Sequence, residues 1–161
     1  MTPKTASLAP RTVSRSVEVG APSERVWDLV TDLPGMGAYS PENAGGRWRA
    51  GATGPALGAV FRGTNVQGRR RWATHCTVVG FEPVRSFAFE VRSVGQAVAR
   101  WSYDVVPTDE GCTVTETWLD RRGWLITRAG ALVSGVADRS SYTAVSIEQT
   151  LARLKQQAEQ A

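Results

Sequence analysis

Cysteine and histidine are almost missing from this chain, which holds two of the first, Cys76 and Cys112, and one of the second, His75, in 161 residues. The cysteines stand far apart without a CxxC spacing, so neither a disulfide scaffold nor a zinc site is expected, and both read as buried free thiols. A catalytic zinc site would gather several His, Cys or carboxylate ligands around that one histidine. No metal and no other cofactor is therefore expected. Long apolar runs are lacking too, so no stable membrane insertion by a helix is expected. The start, Met1 to Thr12, is polar and proline-bearing, without the apolar core of a signal peptide. The reading is a cytoplasmic protein with a flexible N-terminus over 1–11 and a single domain over 12–161, long enough to bury roughly two thirds of its unfolded surface.

Acidic residues are the minority: the formal charge is +4 and the isoelectric point about 9.6. Such a balance invites a nucleic-acid partner. The basic residues are almost all arginine and are scattered, with one short cluster, Arg69 to Arg71, at an expected hairpin. No recognition helix, aromatic RNP-like strand or finger spacing goes with them, so a solvated turn is expected and no nucleic acid. Phosphate loops are absent as well, because Gly51 to Pro55 lacks the Gly-Lys-Ser/Thr end that reaches phosphate and magnesium.

What is present is alternation. Val13, Val17 and Val19 share one face of a first strand, with Arg15 among them needing solvent or a partner for its head. Ala21-Pro22 breaks the strand, Ser23 is the expected N-cap, and Val26, Leu29, Val30 and Leu33 form the inner side of a first helix. A short second helix or turn follows, anchored by Met36 and Tyr39. Asn43 to Ala59 is rich in glycine and alanine and predicts a short strand near Gly46 to Arg49, then a loop. Five further strands are expected at Val60–Asn65, Arg70–Phe81, Arg85–Val94, Ala97–Val106 and Cys112–Arg121. Their short connections force an antiparallel meander.

Parity places Phe87, Phe89, Val91, Trp101, Tyr103, Val105, Val114, Glu116 and Trp118 on one face, which is aromatic and holds a carboxylate. His75 falls on the face opposite Trp72, Thr74, Cys76 and Val78, pointing to solvent. Trp124 to Ser134 carries a helical pattern through Leu125, Ala129, Leu132 and Val133. It leads by Gly135 into a final helix over Ala137 to Ala158, as a separate helix or one kinked rod. On that last helix Val136, Ser140, Ala144, Ile147, Leu151, Leu154 and Ala158 form one stripe, bulky in its C-terminal half and small in its N-terminal half. The sheet must wrap around this stripe.

This arrangement resembles the START-like, or SRPBCC, superfamily, in particular its polyketide cyclase/dehydrase-type branch common in actinobacteria. Ala21-Pro22-Ser23-Glu24-Arg25-Val26-Trp27 resembles its strand-to-helix signature and Ser40-Pro41-Glu42 its second helix. Gly58 to Asn65 resembles its third strand, Trp101-Ser102-Tyr103 its sixth, Gly111 to Glu116 its last, and Thr150 to Lys155 its closing helix. The resemblance implies an α+β helix-grip (START/Bet v 1-like) fold over 12–161, a curved antiparallel sheet around a long C-terminal helix, with a deep pocket between them. It implies no single chemistry, because function has to be argued from the pocket.

The expected ligand-binding residues are Phe61, Asn65, Trp72, Phe87, Phe89, Trp101, Tyr103, Glu116, Trp118, Ser140 and Ala144. Apolar walls with few polar groups suit a small-molecule site and also an ordinary solid core. Glu116 is the candidate catalytic residue, since a carboxyl group removed from water has a raised pKa unless a cation pairs with it. The competing structural role is an ion pair with Arg139 or Arg15. The leading expectation is binding or transport of a hydrophobic small molecule, a lipid, fatty acyl or polyketide-like compound, by a monomer or homodimer. The alternatives are a cyclase or dehydratase using Glu116, with Tyr103 or Asn65 orienting a carbonyl, and a protein-interaction module such as a toxin–antitoxin component, marked by a large exposed apolar patch.

Overall fold

The computed structural model describes residues 11–160; the expected flexible N-terminus lies, but for Arg11, outside the described residues. Strand β1 (Thr12–Val19) leads through Ala21-Pro22 into helix α1 (Ser23–Thr31) and a 3₁₀ turn at Met36–Ala38. Six strands follow, β2 (Asn43–Arg49), β3 (Val60–Gln67), β4 (Arg70–Glu82), β5 (Ser86–Ser93), β6 (Gln96–Thr108) and β7 (Gly111–Asp120). Helices α2 (Trp124–Ser134) and α3 (Arg139–Glu159) close the chain. All pairings are antiparallel, in the order β1-β7-β6-β5-β4-β3-β2, so the hairpins form a meander and β1 closes onto the last strand. The α+β helix-grip architecture is the one expected.

The inward face carries the residues that parity assigned to it. Phe89, Val91, Tyr103, Val105, Val114, Glu116 and Trp118 are buried, and His75 is exposed. Gly46 of β2 sits against Phe61: a Cβ there would lie 2.6 Å from the phenyl tip and 2.2 Å from the Arg62 carbonyl. Only glycine lets the edge strand approach so closely.

Two local expectations are corrected, and the junction of the last two helices, left open by the sequence, is decided. Pro22, not Ser23, is the N-cap of α1, with no side-chain cap bond; Ser23 is the first helical residue and is buried. Trp27 joins the inner side of that helix, its ring 5.4 Å from Phe81 and 6.3 Å from Phe87. Helices α2 and α3 are separate, because Gly135 takes a left-handed conformation (φ 75°) that ends α2, and Asp138 caps α3 by accepting from the Ser141 N–H at 3.2 Å.

Helix α3 keeps its expected inner face in the C-terminal half, with Ile147, Leu151, Leu154 and Ala158 buried, and departs from it in the N-terminal half. Its buried positions are Thr143, Ser146, Ile147, Thr150, Leu151, Leu154 and Ala158, whereas Ser140 and Ala144 sit at the margin. The 143-147-150-154 row is as regular as the expected one. It was masked because its small members are hydroxylated. Leu151 and Leu154, each worth roughly 1.5–3 kcal/mol when fully buried, pin the C-terminal half to the sheet. The N-terminal half presents Thr143, Ser146 and Thr150 instead.

Candidate functional site

The two halves of the concave face differ in filling. On the α1 side Trp27, Phe81, Phe87 and Phe89 form a cluster of edge-to-face and tilted rings with centroids 5.4–6.3 Å apart, filling that part of the core. On the other side, beneath the start of α3, lies a partly enclosed cavity of about 230 Å³, walled in part by α2. Its walls are mostly apolar, among them Leu33, Met36, Phe61, Phe89, Trp101 and Trp118. Left dry and empty, a void of that size would forgo on the order of 5 kcal/mol of packing. The slender hydroxyl side chains Ser146 and Thr150 on α3 leave that space open.

Glu116 lies inside the cavity with 2% of its surface exposed. The hydroxyl of Tyr103, its neighbour on β6, donates to Oε1 at 2.9 Å, and Oε2 is buried with no partner. Burial pushes the carboxyl up to about 8, against the smaller lowering effect of the tyrosine hydrogen bond. At neutral pH Glu116 is therefore mainly an uncharged acid, with Oε1 accepting and Oε2 free to carry the proton. Burial, then the Glu116 charge, drives the Tyr103 phenol well above its ordinary range, so it stays a donor. Cys76, also on the cavity wall, is pushed up to about 12 by burial and is an inert thiol.

The ion pair expected of Glu116 is not made with either arginine. Arg15 stands opposite Glu116 in the β1–β7 register, but its Nε reaches Glu148 on α3 at 3.1 Å. Arg139 pairs with Glu42 at 2.9 Å, joining the start of α3 to the segment after the 3₁₀ turn. Its guanidinium lies 5.4 Å from the Tyr142 ring, and its Nη1 is buried without a partner. Arg122, the other arginine on the cavity wall, makes a two-pronged bond to Asp120 at 2.8 and 2.9 Å. Burial alone would raise the Asp120 carboxyl, and the bonds and charge of Arg122 outweigh it and hold it low.

Of the expected site residues, the structure brings Phe61, Asn65, Trp72, Phe89, Trp101, Tyr103, Glu116 and Trp118 to the cavity wall. It does not bring Phe87, which belongs to the aromatic cluster around Trp27, nor Ser140 and Ala144, which sit at the margin of the inner face of α3. Ser146 and Thr150 take the place of those two. The side-chain amide of Asn65 donates to Thr74 at 3.1 Å. Sequence reasoning missed Glu42 and the lining role of Arg139, whose juxtaposition spans 97 positions of chain and leaves no local trace.

Helix α2 forms part of the cavity wall and departs most from expectation. Ile126, Ala129, Gly130, Val133 and Ser134 line the cavity, while Trp124, Leu125 and Leu132 are 63–80% exposed. Apolar residues surround this helix, so periodicity could not choose its inner face. Among the described residues no helix is long and apolar enough to cross a membrane, and no three metal-ligating side chains cluster.

A model of the family described as polyketide cyclase/dehydrase and lipid transport matches residues 10–159. No curated protein matches the chain. Among solved structures, a Polyketide_cyc-like protein from Corynebacterium glutamicum is 28% identical, with a TM-score of 0.64 over 96% of this chain and 91% of its own. The di-domain ARO/CYC BexL from the BE-7585A biosynthetic pathway is 19% identical, with a TM-score of 0.69 over 94% of this chain and 51% of its own. StfQ, the di-domain ARO/CYC from the steffimycin biosynthetic pathway, is 12% identical at a TM-score of 0.70, over 92% of this chain and 50% of its own. At these last two identities the likeness is one of fold.

Proposed function

The chain belongs to the polyketide cyclase/dehydrase and lipid transport family, and from that premise we propose that it binds a hydrophobic small molecule, polyketide-like or lipid-like, between its sheet and α3. The observation that carries this reading is the cavity itself, an apolar space of about 230 Å³ beside a solidly packed core and holding one buried, uncharged carboxyl. Its size lies just below the roughly 300–1,000 Å³ of sites that take drug-sized molecules. That favours a compact ligand, or one whose remainder passes out beneath α2.

The test is a fluorescence titration with the neutral apolar probe N-phenyl-1-naphthylamine, alongside native mass spectrometry of the freshly purified protein. Saturable binding at one site, with quenching of Trp101 and Trp118, is expected. Ser146→Leu, which fills the space from α3, should abolish binding and leave the fold intact. Absence of saturable binding, or an unaffected Ser146→Leu protein, would overturn the proposal.

A second reading, a cyclase or dehydratase, is favoured by one observation: Glu116 is buried on the cavity wall with a single hydrogen bond, and burial raises its carboxyl toward the range where general acids and bases work. In its ionised form the carboxylate can take the α-proton of a β-hydroxyketone, and the acid so formed can pass that proton to the departing hydroxyl, releasing water and restoring the carboxylate. Tyr103 serves this role through Glu116, since its hydroxyl is already committed to the carboxyl. Loss of water from a β-hydroxyketone, followed as enone absorbance and abolished in Glu116→Gln, is the expected result. An unchanged rate in that variant would leave binding alone. The exposed outer face of α2, with Trp124, Leu125 and Leu132, is the feature on which an interaction module would rest.

A further inference from the structure

Helix α2 leaves its largest apolar side chains in water. Trp124, Leu125 and Leu132 are 67%, 63% and 80% exposed, and Leu125, Arg128 and Leu132 recur at steps of three and four, in one outward stripe. The antiparallel order brings the β3–β4 turn, the β5–β6 turn and the end of β7, from which α2 departs, to one end of the sheet. At the β5–β6 turn stands Val94, 95% exposed and with φ at 50°. A β-branched residue is strained in that left-handed conformation, which asparagine or glycine adopts more easily. Neither packing nor the turn itself accounts for a valine there.

Charge at this end is of one sign. No Asp or Glu occurs in residues 60–81, 91–103 or 121–137. The same segments carry Arg69, Arg70 and Arg71 at the β3–β4 turn, Arg92 bonded to the Gly95 carbonyl at 3.3 Å, and Arg128 on the α2 stripe, all exposed. None of the five is ion-paired with a carboxylate of the described residues. The neighbouring carboxylates are spent, Glu90 on Arg121, Asp120 on Arg122 and Asp138 on the cap of α3. The Arg70 guanidinium lies beside Gly135, which sets the arginine cluster at the C-terminal end of α2.

We infer that this end of the molecule docks on the surface of an anionic lipid bilayer, with Trp124, Leu125, Leu132 and Val94 entering the headgroup layer and the arginines meeting lipid phosphates. A helix with Trp and Leu on its apolar face and arginine at hand lies in the plane of such an interface. At 11 residues α2 is too short to span the hydrocarbon, so the contact is peripheral. A nucleic acid would satisfy the arginines and leave the four apolar side chains in water. A second copy would set arginines against arginines. A folded protein partner would need pits matched to side chains that protrude from two separate elements, whereas a headgroup layer yields to them. Docking of this kind does not depend on what the cavity binds.

The experiment sediments the full chain with vesicles of POPC alone and of POPC with about 30 mol% POPG, at low and high salt. Binding to the anionic vesicles is expected to be about 10- to 100-fold tighter than to POPC and to weaken with salt. Leu125→Ser with Leu132→Ser should lose about 10-fold or more of that affinity. Arg69→Gln with Arg71→Gln should lose about 10- to 30-fold and flatten the salt dependence. Val94→Asn should weaken binding while Tm holds or rises, a combination that a structural role for Val94 would not give. Absence of binding, equal binding to both vesicles, or variants that bind as wild type does would overturn the inference. Light scattering of the same proteins supplies the remaining check: a dimer that the leucine changes dissolve would overturn it in favour of a second copy.

Discussion

The hydroxyl of Tyr103 and the carboxyl of Glu116 meet at 2.9 Å from directly opposed positions on β6 and β7, both buried, and the second carboxyl oxygen has no partner. A single neutral hydrogen bond therefore holds a group that elsewhere in the molecule would carry charge. Tyr39, buried nearby with its hydroxyl donating to the Leu29 carbonyl, adds another phenol that stays protonated.

Stability should fall as pH rises through this site. Glu116 titrates at about 8 in the folded chain against an ordinary 4.5, so the unfolded state gives up its proton first. The contribution is complete below about pH 4.5, declines from there, and is lost once pH passes about 8. The full span corresponds to on the order of 3–5 kcal/mol. Urea unfolding of wild type and Glu116→Gln across pH 5 to 9 measures it; an equal slope in both proteins would remove Glu116 as the cause.

Tyr103→Phe takes away the hydrogen bond that lowers the Glu116 pKa. The carboxyl should then titrate higher still, read by ¹³C NMR of side-chain-labelled glutamate, and the protein should lose about 1–2 kcal/mol. A downward shift would mean that water replaces the hydroxyl.

Glu42 and Arg139 form a largely buried pair, so each single change strands a charge. Arg139→Gln and Glu42→Gln should each cost about 1–3 kcal/mol, and the double variant less than their sum. Thermal or denaturant melts of the four proteins give the coupling directly. Strict additivity would show that the pair contributes nothing as a pair.

At Gly135 a Cβ would stand 2.5 Å from the Arg70 guanidinium on a backbone already at φ 75°. Gly135→Ala should cost about 1–2 kcal/mol and disturb the junction that sets α2 against the cavity. Faster release of N-phenyl-1-naphthylamine in stopped flow is the expected sign.

Where side chains alternate cleanly, as in Phe87 to Val91 and Val114 to Trp118, one face was legible because a strand has only two sides. Glu116 was found by that parity, not by any motif. The inner face of the N-terminal half of α3 was not legible, because a helix offers many faces and Thr143, Ser146 and Thr150 look polar while serving as the inner row. The absence of an arginine on Glu116 was beyond reach for another reason. Arg15 and Arg139 are within plausible range, and their choice of Glu148 and Glu42 depends on how the helices sit on the sheet. Phe87 has the right parity for the cavity, yet Trp27 had already claimed the space in front of it.

Of the eleven residues of α2 only Ser134 is buried, and Trp124 and Leu132 already stand 67% and 80% in water. Little of the apolar surface of this helix leaves water, so it is held to the rest of the molecule more weakly than α3, with its seven buried residues. Amide exchange should be quickest along Trp124–Ser134 and slowest in the strands beneath.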